Sequence, residues 1–179
     1  MLKDMQLFDH YTGTGNIAIK ASAQGFDARE ITRSLNGNAS IAFRDGRIEG
    51  VDLNRMRKAI KEKGNQLEKA FRLIPQPGEF TKFGETTATF QIANGVATNR
   101  DLVIRAGDLL VTGKGTANLV TEKLDYRIEL AGDEDAGKKC KTIPVRVEGP
   151  FAKLSYLPAV DEILKCQAQK AVEKQLEKS

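Results

Sequence analysis

Few residues of this chain have side chains and spacing suited to catalysis, metal binding or phosphate binding. His10 is the only histidine among 179 residues, so neither a Ser-His-Asp arrangement nor a multi-histidine metal site can be assembled. Gly113-Lys114-Gly115 places glycines beside a cation, but the spacing of a phosphate-binding loop is absent and no helix is predicted after it. A glycine pair inside a strand more often marks a bulge or a close backbone approach, and we adopt that interpretation.

Acidic residues and cysteines give no stronger chemical signal. The run Asp133-Glu134-Asp135 lacks the spacing and the closing glutamate of an EF-hand, so a solvated loop is favoured over a calcium site. Cys140 and Cys166 have no histidine or further cysteine at zinc-ligand spacing. If paired, they would close a loop of about 27 residues, worth roughly 3 to 4 kcal/mol in the chain-entropy model. Two buried free thiols are the alternative. We predict no catalytic residue, no metal site, no cofactor and no enzymatic activity.

The composition fits one soluble domain that spans residues 1–179. Hydrophobic residues make up 40% and charged residues 29% of the chain, which is ordinary for a globular fold. The lack of tryptophan and the 16 glycines favour a sheet with many turns. The sequence contains no apolar run of about 18 residues and no recognisable signal peptide. We therefore expect that the chain as given neither spans a membrane nor directs its own export.

The net charge of +4 is small and spread along the chain. Its densest basic segment, Arg55 to Lys63, is interrupted by Glu62 and falls on a predicted helix. A solvated helix face is therefore favoured over attraction to anionic surfaces such as lipid headgroups. Nucleic-acid binding usually requires a basic stripe with aromatic residues or a recognition helix, so no nucleic acid partner is predicted.

Two segments of the sequence repeat one another, and each predicts a β-hairpin. In Phe43–Leu53 and Ile92–Leu102, an Asp-Gly or Asn-Gly pair follows an alternating strand, and an Asp-Leu pair begins six residues after the glycine. Such pairs tolerate the positive φ angles of tight two-residue turns. Asp45-Gly46 and Asn94-Gly95 are therefore predicted to lie at hairpin ends.

Hydrophobic periodicity predicts two amphipathic helices and one apolar sheet face. A spacing near 3.6 residues predicts a helix over about residues 52–74, with Asp52 as its N-cap, and a C-terminal helix over about residues 158–177. Alternation with polar neighbours assigns ten residues to the apolar face: Ile41, Phe43, Ala88, Phe90, Ile92, Tyr126, Ile128, Leu130, Val145 and Val147. The predicted fold class is α+β: a curved antiparallel β-sheet built from repeated hairpins, with one inserted amphipathic helix and a C-terminal helix.

Several segments, in family order and spread over nearly the whole chain, resemble the C-terminal region of the AsmA family of bacterial envelope proteins. They are Ser34–Leu53, Phe80–Phe83, Ala88–Leu102, Val111–Gly115 with Leu124–Tyr126, and Ile143–Pro150. Two turns depart from the family pattern. Ala106-Gly107 stands where the family often has Ser-Pro, and Lys153–Tyr156 stands where it often has an Asp-Pro-Ser-Tyr-like run. Both departures concern local loop shape.

The resemblance implies a fragment of a Gram-negative periplasmic protein whose full-length parent is anchored in the inner membrane by an N-terminal helix outside this chain. Membrane contact would come through that missing region. The resemblance also implies a role in outer-membrane biogenesis, in bridge-shaped proteins that carry phospholipid along an apolar groove. It favours a disulfide between Cys140 and Cys166.

Three hypotheses follow for the ten residues of the apolar face. They line a groove that shelters phospholipid acyl chains, or they form a closed core against the two predicted helices in a domain that caps a groove built upstream. In the third hypothesis the chain is an interaction module whose free sheet edge or C-terminal helix binds an envelope protein partner. Groove and core residues obey the same period of two, so all three hypotheses fit the sequence.

Overall fold

A computed structural model describes residues 11–63 and 78–178. Eight antiparallel strands form one sheet in which spatial neighbours follow chain order. The elements are β1 (Tyr11–Ser22), α1 (Ala28–Arg33), β2 (Asn36–Glu49), α2 (Leu53–Lys63), β3 (Phe80–Ala93), β4 (Val96–Ala106), β5 (Leu109–Asn118), β6 (Lys123–Gly132), β7 (Ile143–Pro150), β8 (Ser155–Pro158) and α3 (Val160–Leu176). The predicted fold class, an antiparallel sheet with an inserted helix and a C-terminal helix, is confirmed.

Only one of the two repeated segments forms the predicted hairpin. Asn94 and Gly95 have φ angles of 49° and 77° and join β3 to β4, with Ala93 paired to Val96. The prediction of a turn at Asp45-Gly46 is wrong, because β2 continues through both residues and Gly46 pairs with Phe83 of β3. Asp45 does have a positive φ angle, 50°, but it lies within β2 and not in a turn.

The irregularity at Asp45 keeps β2 amphipathic. The pairing between β1 and β2 shifts by one residue between Thr12 and Thr14, opposite this part of β2. Phe43 before the shift and Ile48 after it are an odd number of residues apart, so a regular strand would point them to opposite faces. Both pack against the same hydrophobic cluster. The pair of residues that was predicted to reverse the chain therefore corrects the side-chain alternation.

Helix α2 lies between β2 and β3 and packs on the apolar face. It begins at Leu53, and the Arg55 N–H donates to Oδ1 of Asp52 at 2.9 Å, as predicted for this N-cap. The Leu53 N–H donates to Oγ1 of Thr81 at 2.9 Å, which fixes the start of the helix to β3. The predicted continuation over residues 64–74 lies outside the described residues, as does His10.

Helix α3 is confirmed at the C-terminus and is attached to the sheet mainly near its start. Arg127 of β6 donates two hydrogen bonds to the Glu162 carboxylate, at 2.8 and 2.5 Å. These hydrogen bonds hold the pKa of Glu162 below its ordinary value. The Sγ atoms of Cys140 and Cys166 are bonded, with their Cα atoms 5.6 Å apart, so the loop before β7 is joined to the middle of the helix.

Among the described residues, no helix is both long enough and apolar enough to cross a bilayer.

Candidate functional site

The sheet has one polar and one apolar face, and the pairing of all eight strands shows this most directly. One row of directly paired residues crosses the whole polar face and contains only polar side chains. From β1 to β8 it consists of Lys20, Asn38, Gln91, Thr98, Thr116, Asp125, Glu148 and Ser155. Because side chains alternate along a strand, the row one residue away lies on the opposite face.

That adjacent row, called here the Ile19 row, becomes more buried from one edge of the sheet towards the other. From β1 to β8 it consists of Ile19, Ala39, Phe90, Asn99, Gly115, Tyr126, Val147 and Tyr156. Ile19 is 58% exposed, Phe90 is half-buried, Asn99 is 1% exposed and Val147 is 4% exposed. The apolar face is therefore open at β1 and covered from β4 onward.

A second row shows the same gradient. It begins with Ile17, Ile41 and Ala88 and continues, past a bulge in β4, through Leu102, Gly113, Ile128, Val145 and Pro158. Ile17 is 46% exposed, whereas Ile128 is 6% exposed and Val145 is fully buried. Both rows thus pass from an open end at β1 to a closed end at β6 and β7, and the boundary crosses β3, because Phe90 in the first row is half-buried whereas Ala88 in the second row is 2% exposed.

Two helices and the turn after β7 pack on the closed end. Leu53 and Met56 of α2 are buried in the main hydrophobic cluster with Leu130, and Ile163 of α3 packs against that cluster. A smaller cluster forms around Phe151, with Ala97 and Ala117 buried and Phe90 and Ile92 beside it. The closed end is therefore a protein core of ordinary construction.

The ten residues predicted for the apolar face are divided by this boundary. Five lie on β2 and β3, where Ala88 is buried and Ile41, Phe43, Phe90 and Ile92 are half-buried. Of these, Phe43 packs against the main cluster, and Phe90 and Ile92 pack against the smaller one. Four lie in the closed core, namely Ile128, Leu130, Val145 and Val147, and Tyr126 lies between the two groups along its row. The predicted set omitted the most exposed members of the face, Ile17 and Ile19, although their alternation with polar neighbours is visible in the sequence.

Tyr126 reaches across β5 because that strand has glycines beneath its ring. A Cβ atom built on Gly113 would lie 2.7 Å from Cε1 of Tyr126, and one built on Gly115 would lie 2.6 Å from its Cδ2. The ring passes over both glycines, and its hydroxyl donates to Oδ1 of Asn99 on β4. The Gly113-Lys114-Gly115 segment thus serves a close side-chain approach, in line with the interpretation preferred from the sequence.

Asn99, which is itself buried, is the centre of a polar network that the sequence did not reveal, and its partners Thr89 and Asp101 are exposed. Its Nδ2 donates to the Thr89 carbonyl oxygen and to Oδ1 of Asp101, each at 2.8 Å. Asp101 also accepts hydrogen bonds from the Thr89 N–H at 2.8 Å and the Thr89 hydroxyl at 2.5 Å. The network spans the bulge of β4, where the pairing with β3 shifts between Thr87 and Phe90. Every polar group of the Asn99 side chain therefore has a partner.

Both ionisable members of this network titrate away from their ordinary ranges. Burial opposes the charge of Asp101, but the hydrogen bonds from Thr89 and Asn99 outweigh it, and the pKa of the carboxyl lies below its ordinary value. Burial, aided by the negative charge of Asp101, raises the pKa of Tyr126. At neutral pH the hydroxyl of Tyr126 remains protonated and keeps donating to Asn99.

The role of Gly113 gives a testable prediction. Gly113→Ala should lower the free energy of unfolding by roughly 1 to 3 kcal/mol, because the new methyl group would press on Tyr126, Ile128 and Leu102. Gly84→Ala is the matched control, since the closest atom to its Cβ would be the Arg105 carbonyl oxygen at 3.8 Å. Urea unfolding of both variants measures the difference. Equal stabilities would contradict the proposed packing of Tyr126 on Gly113.

Among the described residues, no three His, Cys, Asp or Glu side chains are grouped so as to hold a metal ion. At the open end of the apolar face, Ile17 and Ile19 expose 46% and 58% of their surface, and Ile41 beside them is half-buried.

Comparisons with known proteins agree on the family of this chain. Residues 1–102 match the AsmA family. Protein AsmA of Escherichia coli (strain K12) is 25% identical over 174 residues, which cover 92% of this chain and 28% of that protein. No solved structure matches the chain. The chain thus spans less than a third of the length of this curated relative. Because the family match covers 102 of 179 residues, more than half, the chain belongs to the AsmA family.

Proposed function

We propose that this chain is a non-enzymatic periplasmic segment of an outer-membrane biogenesis protein, and that its open apolar end holds phospholipid acyl chains. The observation that carries the proposal is the gradient of burial along the Ile19 row and along the second row, which begins with Ile17. Ile17 and Ile19 lie on the same face of β1 and are 46% and 58% exposed, so they extend the apolar face beyond the part that the protein's own core covers. The closed end then forms the place where the groove stops.

The location is proposed on two grounds. Membership of the AsmA family suggests an envelope protein, and a disulfide between Cys140 and Cys166 suits an oxidising compartment such as the periplasm. In this proposal the inner-membrane anchor belongs to a part of the parent protein outside this chain. The activity of the whole protein is likewise proposed, since the chain corresponds to 28% of the relative.

Hydrophobic burial alone supplies enough affinity for such a site. A fully buried methylene contributes about 0.8 kcal/mol, so a half-enclosed acyl chain with eight methylenes in contact would gain about 3 kcal/mol. That value allows capture and release without a specific headgroup contact. Polar headgroups would remain in water beyond the open edge at β1. Low selectivity among phospholipids is the expected consequence.

The test is lipid capture by the chain expressed in the periplasm and purified without reductant. Native mass spectrometry and lipid extraction should find phospholipid with the wild-type chain, and Ile19→Asp should reduce the bound amount at least about tenfold. An aspartate there would bring a charge into contact with the acyl chain, and desolvating that charge is costly. Because Ile19 is 58% exposed, the substitution should leave the free energy of unfolding within about 0.5 kcal/mol of the wild-type value.

Ala18→Asp is the matched control, because Ala18 is the neighbouring exposed residue of β1 and lies on the polar face of the sheet. It should retain wild-type amounts of lipid. A folded wild-type chain that carries no lipid, or equal loss of lipid in both variants, would contradict the proposal.

A second candidate function is protein interaction at the edge of the sheet, and the free side of β1 favours it. Among the described residues β1 pairs only with β2, and its twelve residues include one charged side chain, Lys20, and no proline. Such an edge can accept a further strand from another polypeptide. A lipid-free chain that nevertheless binds an envelope partner, and loses that binding when β1 is altered, would favour this candidate.

A further inference from the structure

We infer that the Tyr126–Asn99 pair is the end wall of the lipid site and sets how much of an acyl chain it accepts. The inference rests on the proposed function and goes beyond it by naming the residues that limit chain length. A hydrocarbon chain that enters over β1 and follows the Ile19 row passes Ala39 and Phe90. The next member of that row is Asn99.

The position of the pair makes it a wall in two ways. Asn99 places a polar amide on an otherwise apolar path, where it is 1% exposed. The ring of Tyr126 occupies the space above Gly113 and Gly115, which are the residues that follow in the two rows. Beyond the ring, Val145 and Val147 belong to the closed core. No comparable obstruction precedes Phe90, because Ile17 and Ile19 are open to solvent.

An incoming acyl chain could pass the Tyr126–Asn99 pair only at a cost in free energy. The Asn99 side chain has three hydrogen bonds, to Tyr126, Thr89 and Asp101. A methylene inserted between Tyr126 and Asn99 would leave a buried hydroxyl and a buried amide oxygen without partners, at a cost of about 1 to 3 kcal/mol for each group. One methylene returns only about 0.8 kcal/mol. The hydrogen bond between Tyr126 and Asn99 is therefore kept, and the acyl chain ends at Phe90.

The wall can be tested with a series of lysophosphatidylglycerols that differ only in acyl chain length. Each methylene that reaches the apolar face should tighten binding by about two- to fourfold, which is the fold-change that corresponds to half or full burial. For the wild-type protein with its disulfide intact, the affinity should stop increasing beyond one acyl chain length. Tyr126→Ala removes the ring, so the affinity should continue to increase for longer acyl chains. The longest lysophosphatidylglycerol should bind this variant about tenfold more tightly than it binds the wild type.

Tyr126→Phe separates the ring from the hydrogen bond, because it keeps the ring over Gly113 and Gly115 but removes the bond to Asn99. It should extend the gain to longer acyl chains less than Tyr126→Ala does. Where Tyr126→Ala fails to fold, Tyr126→Leu opens a smaller space and should still extend the gain. The inference would be overturned by an affinity that rises through the whole series in the wild type, or by a limit unchanged in the alanine and leucine variants. Those outcomes leave the proposed function standing. Absence of binding at every length would instead overturn the proposed function.

Discussion

Ile128→Ala should lower the free energy of unfolding by about 3 kcal/mol, within the range of roughly 2 to 5 kcal/mol found for truncations that leave a cavity in a packed core. Ile128 is 6% exposed and belongs to the main hydrophobic cluster. Its strand neighbours in the row are Gly113 and Val145. Neither glycine nor the fully buried valine can move into the space that the lost side chain leaves. Urea unfolding followed by circular dichroism measures the effect.

Ile17→Ala is the matched control, because the same substitution is made in the same row at the other end of the face. Ile17 is 46% exposed, so the loss of free energy should stay below about 1 kcal/mol. The difference between the two variants therefore measures the gradient of burial directly. Similar losses of unfolding free energy in both variants would mean that Ile17 is covered in solution. An acyl chain could then not enter over β1, which would contradict the proposed lipid site.

The fold was largely predictable because its main signals are local. The alternation in β6, the Asn94-Gly95 turn and the N-cap at Asp52 depend on residues close in sequence, and each of these predictions agrees with the structure. The Asp45-Gly46 prediction failed for a physical reason. The same positive φ angle serves a tight turn or a bulge, and only the neighbouring strands decide between the two. Here β1 and β3 both pair with β2 on either side of Asp45.

The candidate site was less predictable, because its limits depend on contacts distant in sequence. A period of two assigns Ile41 and Val145 equally to one face, yet only the second is fully buried. What separates them is the position of the helices, because α2 packs on β3 and β6 and α3 packs on β7. The alternation of side chains along a strand does not indicate where a helix will pack. Asn99 gave no signal at all, since a polar residue between a turn and a strand is ordinary. Its role emerges only when Tyr126 is placed across β5.

Replacing both cysteines by serine should detach α3 and lower the free energy of unfolding by up to roughly 3 to 4 kcal/mol. The helix buries no residue completely, and Val172 in its second half is 57% exposed. An isolated helix of 17 residues is only marginally stable in water. Without the bond at Cys166, the amides of α3 should therefore exchange with solvent much faster than those of β5 and β6. Hydrogen-exchange mass spectrometry of the oxidised wild type and the double variant measures this difference.

Lys139→Ala separates the covalent link from the ion pair beside it. Lys139 donates to the Glu173 carboxylate at 2.8 Å, but both side chains are more than half exposed, so the pair should contribute less than about 1 kcal/mol. Exchange in α3 should then remain close to wild type in Lys139→Ala and rise only in the double serine variant. Protected α3 amides in the serine variant would show that Ile163 and the Arg127–Glu162 pair suffice to hold the helix. In that case the disulfide would act chiefly on the unfolded chain, because the helix position would not depend on it.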